Sequence, residues 1–242
     1  INQLYKTGYM HNHLRMYIAS LSCNIAKSHW KFPSKWMYYH LLDADWGSNA
    51  LNWQWVAGAN SNKKYFANQN NIDRFCFTNQ KGTFLDVPYE DFITLETPEI
   101  LKKCESITLK TTLPKQENLE IDSALPSCIY NFYNLDPLWK KNDSVNRILL
   151  LEPSHFEQYP VSKKTIDFII KLSKENLVDI QIYVGEFNNL VSEYKLESLF
   201  FKEHPLNKHY KGNEDARDWM FEVRGYFPSF FSFWKKCEKQ LK

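Results

Sequence analysis

The sequence predicts a mixed fold, helical in its first part and α/β with a small parallel sheet in its last. Apolar residues recur at helical spacing before residue 57, whereas short continuous apolar runs alternate with helical stretches after residue 146. The chain has 242 residues, of which 43% are hydrophobic. It is therefore long enough to bury a core in one large domain or two small ones.

Three helices are expected in the first part. An apolar stripe without an internal proline predicts one long helix over residues 2–31, and helices over 34–42 and 47–57 follow it. Asparagine recurs through residues 58–80, where apolar residues are few, so this stretch is expected to be a loop. Short helical or irregular segments are expected from residue 82 to about residue 107.

The periodicity changes in the last part. The run RILLLE at residues 147–152 is apolar nearly throughout, which is typical of a buried parallel strand. It opens a series that predicts a parallel sheet with right-handed crossovers. The series consists of strand 147–152, helix 161–175, strand 180–184, helix 188–196 and strand 199–202. The aromatic segment 217–241 is expected to dock on the remainder as one or two helices.

These patterns divide the chain into a helical part (1–110), a connecting region with three prolines (111–146) and an α/β domain with C-terminal aromatic helices (147–242). Ligands of parallel sheets bind beyond the carboxyl ends of the strands. In this chain those ends lie near residues 152–155, 185–186 and 203–204. A purely structural role for the α/β domain is the alternative.

Several classes of site and location find no support in the sequence. No apolar run reaches the roughly 18 residues of a membrane span, and no signal peptide is evident, so we expect a soluble, cytoplasmic protein. The five cysteines lie far apart without a CxxC pair, which favours reduced thiols. His11 and His13, two apart on a predicted helix, are expected to point to different faces, so no metal site is predicted. The chain begins with Ile1, and we expect it to be part of a longer protein.

Positive charge is concentrated near the start of the chain. Residues 1–77 carry eight Lys/Arg against three Asp/Glu, whereas the remainder carries 22 against 25. An anionic partner, such as a cofactor phosphate or a nucleic acid backbone, fits this asymmetry. An ordinary solvated helix surface is the alternative.

The densest group of functional side chains lies at residues 41–55. Asp43, Asp45, Asn49, Trp53 and Trp55 all fall within these fifteen residues. Carboxylates and amides accept hydrogen bonds from ribose or ring N–H groups, and an indole can be oxidised by one electron, so the group favours a site for a flat, redox-active ring. Asn49 and Trp53 are four apart and share one helix face. A tryptophan-rich core helix with a capping aspartate is the alternative.

Three motifs together resemble the photolyase/cryptochrome family. They are TGYMHNHLRM at residues 7–16, Trp30, and DADWGSNALNWQW at residues 43–55. The similarity covers residues 1–75 and corresponds to the second half of that family's helical FAD-binding domain. It implies a helical FAD-binding-type subdomain with FAD as its cofactor. The α/β part departs from the family's usual layout, in which the α/β domain precedes the helical one.

The resemblance assigns cofactor-binding roles to five residues. Asn12 and Arg15 would lie beside the flavin, with Arg15 paired to an acidic residue in the region of Asp43. Asp43 and Asp45 would flank the ribose and the ring edge, and Asn49 would face the flavin N5.

The resemblance also assigns roles in electron transfer and substrate binding. Trp30 and Trp53 match two members of the family's tryptophan relay, and Asn49 joins them as a catalytic residue. Met16 and Trp55 match residues that line the cavity for a flipped-out pyrimidine dimer. Enzymes for six-four photoproducts carry histidines at the positions of Asn12 and Met16. Asn49 stands where plant cryptochromes have Asp and insect ones Cys, so the pattern favours repair of cyclobutane dimers.

The expected function is therefore that of a photolyase-like lyase that repairs cyclobutane pyrimidine dimers in UV-damaged DNA by electron transfer from reduced FAD. A cryptochrome-type photosensor and a relic without flavin are the alternatives. In the family, the loop that holds the FAD diphosphate, the distal relay tryptophan and a second dimer-clamping tryptophan lie upstream of this segment. None of them is found in this chain, so an N-terminal segment of the same protein is an expected partner.

Overall fold

The computed structural model describes residues 1–60 and 62–241. Its first part is helical and its last part is a parallel α/β sheet, so the expected mixed fold is confirmed. The helices of the first part are α1 (Asn2–Thr7), α2 (Asn12–Ser20), α3 (Lys31–His40), α4 (Trp46–Val56) and α5 (Gln69–Cys76). A π-helical turn, Leu21–Ile25, extends α2, and the 3₁₀ turns Tyr89–Ile93 and Glu99–Leu101 follow α5.

The single long helix expected over residues 2–31 is wrong. Gly8 ends α1 with a left-handed φ of 73°, and its N–H donates to the Leu4 carbonyl. Left-handed backbone favours glycine, and a Cβ at this position would lie 2.5 Å from Leu42 Cγ. The turn at Gly8 thus brings the start of α2 close to the loop between α3 and α4.

Two other boundaries differ from expectation for local reasons. α3 begins at Lys31, before residue 34, because Pro33 is tolerated within the first turn of a helix. α5 lies within the stretch 58–80 that was expected to be a loop. Asn68 accepts a hydrogen bond from the Asn71 backbone N–H at 3.0 Å, so one of the asparagines that suggested a loop is a helix N-cap.

The last part contains a five-stranded sheet in which all strands are parallel, in the order β3-β2-β1-β4-β5. The strands are β1 (Ser127–Tyr130), β2 (Asn146–Leu151), β3 (Gln181–Val184), β4 (Leu199–Lys202) and β5 (Asn213–Asp215). The accompanying helices are α6 (Pro153–Gln158), α7 (Lys163–Asn176), α8 (Phe187–Tyr194) and α9 (Phe230–Cys237). The three predicted strands are confirmed, and β1 lies inside the stretch 111–146 that was assigned to a connection.

Both faces of the sheet are covered, which explains the unbroken apolar run of β2. Leu149 and Leu151 pack in a core on the face that α7 covers, whereas Ile148 and Leu150 pack in a core on the face of α8. From β1 the chain adds β2 and β3 on one side of the sheet and then crosses to the other side of β1, where it adds β4 and β5. The strand order therefore reverses between β1 and β4. The carboxyl ends of these strands therefore form the crevice where parallel sheets bind ligands.

The helical part and the sheet share one interface. Tyr38 of α3 is buried in the sheet core on the α7 side. The Ser162 backbone N–H donates to the Tyr39 carbonyl at 2.9 Å, and the Tyr133 hydroxyl donates to the Ala44 carbonyl at 3.2 Å. The loop that carries Asp43 and Asp45 is thus tied to the end of β1.

The expected docking of residues 217–241 is wrong for most of that segment. Its helical elements are α9 and the short 3₁₀ turn Glu238–Gln240, and Phe230 and Phe231 remain 65% and 72% exposed. Gly225 and Pro228 interrupt the helical pattern ahead of α9. Within the described residues, no helix has the length and apolar character needed to cross a membrane.

Candidate functional site

An ion pair joins α2 to the loop between α3 and α4. Arg15 Nη2 lies 2.9 Å from both carboxylate oxygens of Asp43, and Arg15 Nε donates to the Met10 carbonyl at 2.7 Å. The expected pairing of Arg15 with the Asp43 region is confirmed. Asp43 remains 54% exposed, so its carboxylate is held in place by the guanidinium while part of it faces outward.

Asp45 caps helix α4. Its Oδ1 accepts a hydrogen bond from the Ser48 backbone N–H at 2.7 Å, and its backbone is extended, as expected at an N-cap. The capping role that stood as the alternative for Asp45 is therefore present. Contact of this exposed residue with a cofactor ribose stays a prediction.

Asn49 and Trp53 lie on the inner face of α4, as their spacing predicts. The Asn49 side chain is buried and donates through Nδ2 to the Ser34 carbonyl at 2.9 Å, which fixes the plane of the amide. Trp53 is fully buried, and its Nε1 has no hydrogen-bond partner among the described residues. Trp30 is half-buried and packs against the same apolar cluster as Trp53. Two tryptophans of the expected relay therefore pack on one apolar cluster.

The two expected substrate-lining residues and Asn12 lie nearer the surface. Asn12 is exposed, and its Nδ2 lies 4.0 Å from the Sδ of the half-buried Met16. Trp55 is 47% exposed and packs on Tyr65 with 5.5 Å between ring centroids. Helix α2 packs against α4, so Met16 and Trp55 belong to neighbouring elements. Their contact with a substrate stays a prediction.

Three aromatic rings beside this region form a stack that the sequence reasoning missed. His11 and His13 are stacked at 5.3 Å, and Phe75 stacks on His13 at 4.8 Å. The expectation that the two histidines point to different faces is wrong, because His11 precedes α2 as its N-cap and has an extended backbone. The position of His11 immediately before the start of α2 is the sequence signal that could have predicted this stack.

The positive charge of the first 77 residues includes Arg15, which also lies over the Tyr9 ring at 5.9 Å. Tyr9 is half-exposed, as is Leu51 on the outer side of α4. The helical part therefore presents the Tyr9 ring next to the Arg15–Asp43 pair and further exposed apolar surface on α4. Such a surface suits contact with a flat ligand or with further polypeptide.

Comparison with known proteins supports the similarity seen in the sequence. A family model described as the FAD binding domain of DNA photolyase matches residues 1–130, more than the 75 residues that were expected. This match indicates FAD as the cofactor of the chain. No solved structure matches the chain.

Curated relatives match over shorter stretches. A deoxyribodipyrimidine photo-lyase of Agrobacterium fabrum is 42% identical over 66 residues, which are 27% of this chain and 14% of that protein. One of Vibrio cholerae is 32% identical over 101 residues, 41% of this chain and 20% of that protein. Cryptochrome-1 of Arabidopsis thaliana is 30% identical over 66 residues, 27% of this chain and 10% of that protein. The matched regions thus span only a tenth to a fifth of the length of these relatives.

Proposed function

This chain belongs to the DNA photolyase/cryptochrome family, and from that premise we propose that it repairs cyclobutane pyrimidine dimers in DNA by light-driven electron transfer. The observation that carries the proposal is the juxtaposition of the Arg15–Asp43 pair, the buried amide of Asn49 and the buried indole of Trp53 on packed helices. This arrangement combines a fixed charge pair, a polar contact and an oxidisable ring.

The residues present fit the ring end of FAD. The outward part of the Asp43 carboxylate suits ring or ribose hydrogen-bond donors, and the orphaned Nε1–H of Trp53 marks a polar group without a partner in the described part of the chain. The remaining hydrogen and the oxygen of the Asn49 amide are the groups with which it would contact the ring. Reduced FAD, when bound, supplies an electron donor of high energy after absorbing light.

Burial explains how Trp53 and Trp30 would serve electron transfer. Trp53 is enclosed by apolar side chains, so its oxidised form would be shielded from bulk water and from side reactions there. Trp30 packs on the same cluster and is partly open to solvent, which suits an intermediate donor between Trp53 and the surface. We assign no general acid or base, because splitting of the cyclobutane ring by electron transfer requires none.

DNA carrying a pyrimidine dimer is the proposed substrate. Met16 and Trp55 would contact the damaged bases after they leave the helix, and unstacking is least costly for a damaged site. The net positive charge of residues 1–77 would hold the phosphates. A further segment of the same protein is a proposed partner, because half-exposed Tyr9, Leu51 and Trp55 leave apolar surface for it to cover.

A photosensor of the cryptochrome type is the second candidate. It is favoured by sequence identity, because this chain is 30% identical to a plant cryptochrome and 32% identical to the Vibrio photo-lyase over the matched residues. The same buried tryptophans would then reduce the flavin without repairing DNA. A relic that has lost its flavin is the third candidate.

One set of measurements separates the three candidates. The purified full chain is mixed with FAD, and retained flavin is measured by visible absorbance after gel filtration. An oligonucleotide with one thymine cyclobutane dimer is then illuminated with blue light, and a dark sample is the control. We expect retained flavin and light-dependent repair. Retained, photoreducible flavin without repair supports the photosensor, and a colourless protein supports the relic.

A further inference from the structure

A cavity of about 260 Å³ lies at the carboxyl ends of β1, β2 and β4, in the crevice where the strand order reverses. Asn131 follows β1, Glu152 follows β2, and Leu206 lies shortly after β4. Parallel sheets place their ligands at this point because several strand ends converge there. The cavity is separate from the Arg15–Asp43 site, and none of its lining residues belongs to the helical part.

A buried carboxylate forms one wall of the cavity. Glu152 is 9% exposed, and its Oε1 accepts hydrogen bonds from the Phe187 backbone N–H at 3.1 Å and from His209 Nε2 at 2.8 Å. Its Oε2 accepts one bond, from the Tyr210 hydroxyl at 3.2 Å. A carboxylate oxygen can accept more than one donor, so Oε2 has capacity for a ligand N–H.

His155 also lines the cavity, and its Nε2 is a buried nitrogen without a partner among the described residues. His155 Nε2 is inaccessible to solvent and makes no hydrogen bond with any described residue. The ring is held by Phe132 at 5.3 Å and Tyr159 at 5.4 Å between centroids. Burial and the neighbouring His204 lower the pKa of His155 to about 4, so the ring is neutral near pH 7. A neutral imidazole offers one acceptor and one donor, and an orphaned buried nitrogen destabilises the fold until something pairs with it.

Charge and size narrow the class of ligand. None of the described residues that line the cavity is Lys or Arg, and its one carboxylate, Glu152, is paired with His209, so a phosphate group would find no permanent cation to bind there. The volume lies below the range of pockets for drug-sized ligands, which excludes a dinucleotide or a ring with long side chains. The aromatic rings of Phe132 and Tyr159 favour a flat ligand.

We propose that this cavity binds an uncharged nucleobase or nucleoside, whose ring or amino N–H groups donate to Glu152 Oε2 and whose edge pairs with His155 Nε2 once a turn of the imidazole brings this nitrogen to the cavity surface. The ligand carries no phosphate. The cavity shares no lining residue with the proposed flavin site, so its ligand binding can be tested separately from the proposed DNA repair.

Calorimetric titration of the full chain in the dark, without FAD, tests the proposal. Adenine, guanine and cytosine, their nucleosides and the matching 5′-monophosphates are the probes. We expect at least one base or nucleoside to bind with a Kd below about 1 mM and its monophosphate to bind at least about tenfold more weakly. Absence of binding by all bases and nucleosides, or equal or tighter binding of the monophosphates, would overturn the proposal. These wild-type measurements decide the question without any variant.

A His155→Phe variant adds a readout that a purely structural role would not move. Phenylalanine keeps the packing against Phe132 and Tyr159 but removes both ring nitrogens. The variant is expected to melt at the same or a higher temperature, because the orphaned nitrogen is gone, while base affinity falls about tenfold. His29→Phe, an exposed histidine outside the cavity, is the matched control and should leave affinity unchanged. Unchanged affinity in the folded His155→Phe variant would remove His155 from the site and overturn the proposed contact.

Discussion

The side-chain amide of Asn49 donates a hydrogen bond to the backbone carbonyl of Ser34 at 2.9 Å, and both residues are buried. This bond ties α4 to α3 at the level of the candidate cofactor site. The residue that the family resemblance assigns to the flavin N5 is thus also a structural residue. Its two roles are separable by experiment.

Replacing Asn49 by Ala should destabilise the chain by about 0.5–1.5 kcal/mol, because the buried bond between the Asn49 amide and the Ser34 carbonyl is lost while that carbonyl keeps its hydrogen bond within α3. The free energy of unfolding in urea measures the effect. Asn52→Ala on the same helix is the matched control, since Asn52 is half-buried and makes no side-chain hydrogen bond with a described residue. Equal losses in the two variants would contradict the assigned role of the Asn49–Ser34 bond.

Asp45 allows the helix-capping role to be separated from the cofactor role. Asp45→Ala should lower the free energy of unfolding by about 1 kcal/mol through loss of the N-cap, whereas Asp45→Asn keeps an oxygen acceptor for the Ser48 N–H and should cost little. Flavin retention is measured on both variants. Retention by Asp45→Asn at the wild-type level would show that the charge of Asp45 does not serve the cofactor.

Breaking the Arg15–Asp43 pair should lower flavin content more than stability. Asp43 is more than half exposed, so Asp43→Asn is expected to cost at most about 1 kcal/mol in urea unfolding. Retained flavin, measured by absorbance, should fall clearly. Glu90→Gln offers a control at an exposed carboxylate that makes no side-chain contact with a described charged residue and lies outside the proposed cofactor site. A flavin loss no greater than that of the control would argue against the pair as a cofactor contact.

Trp53→Phe should slow photoreduction of bound flavin while leaving flavin content nearly intact. Phenylalanine is harder to oxidise than an indole, and the substitution also removes the orphaned Nε1–H. The rate of flavin bleaching under blue light measures the effect. Trp219→Phe, an exposed tryptophan in the C-terminal segment, is the control. Photoreduction at an unchanged rate would remove Trp53 from the electron-transfer route.

Acid should weaken the fold through His155. Its pKa is lowered to about 4 in the folded chain, so between the ordinary pKa near 6.5 and about 4 the unfolded state binds the proton more readily. Stability therefore falls as pH decreases through this window and is fully present above it. The loss of unfolding free energy between pH 7.5 and pH 5 should be smaller in His155→Phe than in the wild type.

His40 and His204 also have lowered pKa values because of burial, so they contribute in the same direction and the wild-type slope alone is not diagnostic. The difference between wild type and His155→Phe isolates the contribution of His155. Parallel curves for the two proteins would mean that His155 titrates as it does in the unfolded chain.

The parts of the fold that the sequence predicts are those with strong periodicity. β2 is an unbroken apolar run because both sheet faces are covered, and α4 begins at an aspartate that caps it. The pairing of Arg15 with Asp43 follows from the need of a partly buried guanidinium for a partner. The remaining roles of the site residues stay predictions until flavin is bound.

The parts that escape prediction depend on single residues or on tertiary contacts. Gly8 breaks the helical stripe by a left-handed turn that the stripe does not reveal. β1 has only four residues and follows Pro126, and β5 is a polar edge strand, Asn213–Asp215, without an apolar signal. Such short strands form because a neighbouring strand supplies their hydrogen bonds.

The burial of Tyr38 within the core of the sheet has a consequence for how the polypeptide could be divided. Cleavage of the chain between the two halves, by a protease or by splitting the gene, would expose the Tyr38 ring to water in one fragment and leave a cavity in the core of the other. Neither fragment should then behave as an autonomous folding unit. Transfer of the α/β domain to an unrelated protein would accordingly have to include α3 or a helix that replaces it.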